Sequence, residues 1–229
     1  MRDQIKNNQL EDLINSKTEF IDRYKSHINN TTDSNKIQRL SNRLISMSFQ
    51  KTIGLYSFGL DKETVSQSYK ELITYFEQYF IWKGIELGYG QYDDMVWMVS
   101  LGILCDIDLE DFKRITAVIQ RDGAQDKLLD FIIKSKQEDW EGNSNTYLQE
   151  IPYDETANIA SAEDIQHYLD KVWYQGHDEA YWHDLHKNTE ANQYFGYWAW
   201  EVAVIAKIKG IDDSSLKDHK YYPYDAVHW

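Results

Sequence analysis

Three histidines, His177, His183 and His186, are interleaved with Asp178, Glu179 and Asp184. Imidazole and carboxylate are ordinary zinc ligands, and residues three apart share a helix face, so His183 and His186 can in principle meet one ion. That is the chemistry of a metal-dependent hydrolase. The pattern is loose: H-E-x-x-H is absent and the third ligand has no fixed position, which equally suits polar or ring-stacked histidines. Carboxylates also stand beside aromatics in Asp139-Trp140-Glu141, in Asp178 and Glu179 near Trp182, and in Trp200-Glu201. Glycosidases pair carboxylates with sugar-stacking rings, but 38 acids and eight tryptophans create such neighbours by composition alone. Glu201 is the exceptional acid. Tyr197, Trp198, Trp200, Val202, Val204, Ile205 and Ile208 leave it no solvent face on a helix. A buried carboxylate must be hydrogen-bonded, paired or protonated, and tyrosine hydroxyls or a histidine are the expected partners. No phosphate-binding glycine loop and no G-x-S-x-G occurs. Cys105, the sole cysteine, lies in an apolar run as an inert core thiol. No catalytic residue, metal ligand or cofactor is assigned.

The elements that position these residues are helices. Leu10, Leu13, Ile14, Ile21, Tyr24 and Ile28 recur at helical spacing, as do Ile37, Leu40, Leu44 and Met47 up to Gly54–Gly59. Val65, Tyr69, Leu72, Ile73, Phe76, Tyr79 and Phe80 mark a third helix, broken by Gly84, Gly88 and Gly90. Asp93 to Cys105 is apolar on most sides and reads as a central buried helix. Asp108 with Asp111, and Ser161 with Asp164, carry capping patterns ahead of two more. Another helix is expected over about 125–137, and a last long one over about 193–209, ended by Lys207, Lys209 and Gly210. No strand is predicted. The expected fold is all-α: an antiparallel helical bundle-like array of two helical subdomains packed together. The irregular stretch 140–160 suggests a boundary, giving an N-terminal domain over 1–140 and a C-terminal domain over 141–229.

The chain has 229 residues and a net charge of −14. Residues 143–229 carry 15 acids and 6 bases, against 23 and 18 in residues 1–142, so the shorter part holds most of the imbalance. Such a surface repels phosphates, which argues against direct nucleic-acid binding, and it accelerates encounter with a basic partner. No apolar run is long enough to span a membrane, and the N-terminus lacks a secretory leader. A cytoplasmic protein is expected.

The C-terminal block carries a family signature. Ala180-Tyr181-Trp182-His183-Asp184-Leu185-His186-Lys187, Tyr194-Phe195-Gly196-Tyr197-Trp198-Ala199-Trp200-Glu201, Gly210-Ile211-Asp212-Asp213-Ser214-Ser215-Leu216-Lys217-Asp218 and Tyr221-Tyr222-Pro223-Tyr224-Asp225 together resemble the PoNi immunity proteins. Those proteins neutralise PoNe-type DNase toxins in bacterial competition. Met1-Arg2-Asp3 and the helix after it resemble the family's N-terminal domain. Lys220 departs from the pattern, which often has proline there. The resemblance implies a helical, cytoplasmic, non-enzymatic inhibitor whose partner is a toxin nuclease. Shared motif residues then belong to architecture: Tyr197, Trp198, Trp200, Glu201, Tyr222, Pro223 and Tyr224. Toxin contact is expected from Asp154, Glu155, Asp178, Glu179 and Asp184, with Asp212, Asp213 and Asp218 as an extension. Two alternatives stand beside it: the metal-dependent hydrolase built on His177, His183 and His186, and an acidic helical scaffold for a non-nuclease partner.

Overall fold

The computed structural model describes residues 7–84, 89–187 and 193–229. Gly88 and the Met1-Arg2-Asp3 opening lie outside the described residues. Among the described residues the regular structure is helical throughout, with no strand. The all-α expectation holds.

The chain divides into two compact units, Met1–Ile81 with Asp184–Gly196, and Trp82–His183 with Tyr197–Trp229. The boundary expected at 140/141 falls inside the second unit.

The first unit is built on α1 (Asn7–Asn29), α2 (Ser34–Phe58) and α3 (Lys62–Tyr79). Short connections fold each helix back on the one before it. Asp33 and Asp61 start α2 and α3 by accepting from the backbone N–H three residues on, each cap contributing about 1 kcal/mol. α1 packs on α2 and α2 on α3. Gly54 allows the first contact: a Cβ there would stand 3.0 Å from Leu13 Cδ2. Leu10, Leu13, Leu44, Phe49, Ile53, Val65, Leu72 and Phe76 fill the core, as their spacing predicts. The returning segment is tied in by Ser57 Oγ, which donates to Phe195 O at 2.7 Å.

The second unit is organised around two helices that are apolar on every side. α4 (Tyr89–Leu104) buries Met95, Val96, Met98, Val99 and Leu101. It packs against α8 (Trp200–Lys209), which buries everything from Trp200 to Ala206. Enclosing each Val or Ile of α8 contributes about 1.5–3 kcal/mol. α5 (Leu109–Arg121) and α6 (Lys127–Lys134) present apolar stripes to this centre. α7 (Ala162–Tyr168) opens on a complete capping box between Ser161 and Asp164. It runs on through a π-helical turn, Leu169–Trp173, to Gly176. A short helix, Tyr224–Val227, closes the chain.

The last long helix is shorter than its pattern suggests. Residues 193–199 are not helical. Gly196 has φ 108°, a left-handed value that favours glycine, and Ala199 N–H donates to Tyr221 O at 2.9 Å instead of entering a helix. The aromatic run is apolar enough for a helix, but tertiary hydrogen bonds claim its backbone.

The irregular segment after α6 is held by two carboxylates of that helix's first turn. Asp126 caps Leu129 N–H and also accepts from Leu148 N–H, both at 2.8 Å. Asp130 accepts from Trp140 Nε1 and Ser144 N–H, both at 2.7 Å. Gly142 closes over Asp130 so tightly that a Cβ would sit 2.0 Å from Oδ1 and 2.3 Å from Trp140 Nε1. Gly142→Ala is expected to break this clasp and cost about 2 kcal/mol, the scale of a lost buried charge-assisted bond. Thermal melting with Trp140 fluorescence tests it, and an unchanged melting temperature would refute it.

Candidate functional site

The polar centre of the second unit is a buried relay. Asp93, inserted by α4 and fully buried, accepts from Tyr153 Oη at 2.7 Å and from Trp182 Nε1 at 3.4 Å. Tyr153 Oη lies 3.1 Å from His177 Nε2, and His177 Nδ1 lies 2.6 Å from Trp173 O. The carbonyl can only accept, so Nδ1 bears a proton. Burial pushes the Asp93 carboxyl up; the nearby His177 and the hydrogen bonds from Tyr153 and Trp182 oppose the shift without cancelling it. Burial pushes His177 down, against the opposing pull of the Asp93 charge and the Trp173 carbonyl.

Glu201 lies on the first turn of α8 and is 1 % exposed. Tyr168 Oη donates to its Oε1 at 3.2 Å, and the Trp173 indole adds a second hydrogen bond. Among the described residues no cation is paired with it. Burial therefore dominates and pushes the carboxyl up to about 8, so it carries its proton at neutral pH. Around it Trp198, Trp200 and Tyr197 are buried, as are Tyr222 and Pro223. Tyr224 is half-buried, with its ring 4.2 Å from that of His228.

The histidines divide between the two units, His177 and His183 in the second and His186 in the first. Both His177 nitrogens are engaged within the relay. The His183 ring packs 4.1 Å from Tyr174, and His186 lies in the first unit, edge-on to Tyr194. Among the described residues no group of three His, Cys, Asp or Glu side chains is placed to hold a metal ion. Aromatic packing and the relay position the His177 and His183 rings. Asp139, from the carboxylate–aromatic groupings, pairs with Lys113 at 2.7 Å.

The acidic residues divide by location. Asp154 and Glu155 are exposed on the short 3₁₀ helix Tyr153–Asn158, and Asp178 and Glu179 are exposed just after α7. The relay joins these places, because Tyr153 and His177 are the residues immediately before the two acidic pairs. The backbones meet as well: a Cβ on Gly176 would lie 2.7 Å from Pro152 Cβ and 3.3 Å from Ile151 Cγ2. Ile151, beside this contact, is 66 % exposed, the most exposed large hydrophobic among the described residues. None of the four acids is held in an ion pair. Asp184 belongs to the first unit and pairs with Lys187 at 2.7 Å. Asp212 and Asp218 are exposed, and Asp212 accepts from Ser214 N–H. Asp213 is 3 % exposed; it accepts from Tyr222 Oη at 2.7 Å and lies 2.8 Å from His228 Nε2. Its carboxylate is committed inside the fold.

Ile151, Tyr153 and Asp93 escape notice in the sequence. The only local signal is an Asp-Asp pair, Asp93-Asp94, heading an otherwise apolar helix.

Comparison with known proteins places this architecture. The chain matches the family of PoNe immunity proteins (PoNi) by its N-terminal domain over residues 2–117 and by its C-terminal domain over residues 124–226. No curated protein matches it. Among solved structures it is similar to the crystal structure of protein PA2201 from Pseudomonas aeruginosa. That likeness has a TM-score of 0.75 at 15 % identity, covering 99 % of this chain and 89 % of the other. At that identity it speaks for the fold. No described helix is long and apolar enough to cross a membrane. With both domains matched along nearly its whole length, the chain belongs to the PoNe immunity protein (PoNi) family.

Proposed function

We propose that the protein binds and neutralises a cognate PoNe-type DNase toxin in the cytoplasm, without catalysis, through an acidic surface centred on Ile151. The observation that carries this reading is the meeting of two acidic pairs, Asp154–Glu155 and Asp178–Glu179, around an exposed isoleucine. A nuclease grips DNA with a basic cleft, and acids on an inhibitor can occupy or flank it. Long-range attraction gives fast capture, while a desolvated apolar anchor slows release. Asp184, Asp212 and Asp218 are further charges available to the partner, whereas Asp213 is not. The same negative charge argues that the protein does not itself bind nucleic acid.

The test is co-expression with a cognate PoNe-type DNase toxin. Rescue of growth together with a stable purified complex is the expected result. Continued killing with no complex at micromolar concentrations would sink the reading. Metal analysis of untagged protein addresses the hydrolase alternative, and stoichiometric zinc or manganese would revive it.

A further inference from the structure

A pocket of about 150 Å³ opens in the second unit between α6, the 3₁₀ helix Tyr153–Asn158 and the end of α8. Leu128 and Ile205 are buried in its wall, Phe131 stands at its rim, and Tyr147, Thr156 and Ala157 complete the lining with two lysines, Lys127 and Lys209. It opens on the same 3₁₀ helix as Tyr153, whose carbonyl accepts from Thr156 Oγ1, but its lining includes neither the relay side chains nor the four surface acids. Its volume is that of a cavity that takes one benzene ring, well below that of a site for a large cofactor.

The two lysines set the charge of the ligand. In a chain of net charge −14 they are local exceptions. Lys127 Nζ lies over the Tyr147 ring at 5.4 Å. Lys209 Nζ lies over Phe131 at 5.7 Å and donates to Ile159 O. Among the described residues neither forms an ion pair with a carboxylate. Each ammonium has three protons, so each retains donors for an incoming anion. An apolar wall with two cations recognises a ring-sized apolar group that carries one negative charge. We infer that this pocket binds a small aromatic carboxylate, with the ring against Leu128 and Ile205 and the carboxylate between Lys127 and Lys209.

Phenylacetate is the probe, titrated into the whole protein while the methyl resonances of Ile205 and Ala157 are followed by NMR. Saturable shifts are expected, with a dissociation constant of about 1 mM for a ligand of this size. Benzylamine, with the same ring and the opposite charge, should bind at least about tenfold more weakly. Lys127→Gln and Lys209→Gln should each weaken phenylacetate by about tenfold, the worth of one charge-assisted bond. Ala157→Phe, which fills the pocket, should abolish the shifts. Equal binding of benzylamine, or unchanged affinity in both lysine variants, would overturn the assignment. So would the absence of any shift at 20 times the expected constant, about 20 mM. Repeating the titration on the toxin complex identifies the source of the anion: unchanged affinity supports a free small acid, and competition would replace that ligand by a carboxylate of the partner. The pocket's occupancy does not depend on the toxin-binding reading, so either can fail alone.

Discussion

Glu201→Gln is expected to flatten the fall in stability that the wild-type protein shows between about pH 6.5 and 8. The folded carboxyl is raised to about 8 against 4.5 for an unperturbed glutamate. Between those values the folded state keeps a proton that the unfolded state has lost. Stability is therefore greatest below the unfolded value and declines as pH rises, until both states are ionised. Over the whole window the decline is on the order of 5 kcal/mol, with about 2 kcal/mol of it above pH 6.5. His177 acts in the opposite sense. Burial lowers its folded value, so its contribution is present above about 6.5 and lost as pH falls below that. The carboxyls of Asp93, Asp94 and Asp126 are raised by burial as well and act in the same sense as Glu201, so Glu201→Gln removes the Glu201 share of the fall. Glutamine keeps the shape and an oxygen for Tyr168 but cannot ionise. Urea denaturation of both proteins at several pH values measures the difference. Parallel wild-type and Glu201→Gln profiles would show that the carboxyl titrates normally.

Reversing the surface charges should have the largest effect on binding. Asp154→Lys, Glu155→Lys, Asp178→Lys and Glu179→Lys combined are expected to slow toxin association by about 100-fold at low salt, the scale of electrostatic steering. The remaining affinity should lose most of its salt dependence. Ile151→Ala should act on the other rate, speeding dissociation by about 30-fold as the loss of an apolar anchor. All five side chains are exposed, so melting temperatures should hardly move. Stopped-flow association and surface-immobilised dissociation separate the two effects. Wild-type affinity in the reversed variant, with no salt dependence in either protein, would remove this surface from the interface.

Much of the fold was legible residue by residue, because the signals are local. Apolar spacing marks α1 to α3, and the patterns at Asp108 and Ser161 mark two helix starts that both carry their caps. The apolar surroundings of Glu201 likewise announce a buried carboxyl. Its partner does not announce itself, since Tyr168 lies 33 residues away with no pattern linking the two. Asp93 meets Tyr153 across 60 residues and Trp182 across 89, so the relay exists only in three dimensions. The non-helical run 193–199 departs from its pattern for a related reason: its side chains suit a helix, and the competing bonds come from Ser57 and Tyr221. Asp213 and Asp212 look alike in sequence, yet the first is consumed by Tyr222 and His228 while the second faces solvent. Charge alone cannot separate them.

The interleaved make-up of the two units bears on synthesis. A nascent chain that has reached His183 has completed neither, because the first still needs Asp184–Gly196 and the second still needs Tyr197–Trp229. The missing pieces include α8, half of the apolar centre of the second unit. Domains ordinarily fold in turn as they leave the ribosome at about 5–20 residues per second. This chain must hold α4 exposed until Tyr197–Trp229 emerges. Products truncated before α8 should accordingly be captured by chaperones or degraded instead of persisting as half-folded decoys.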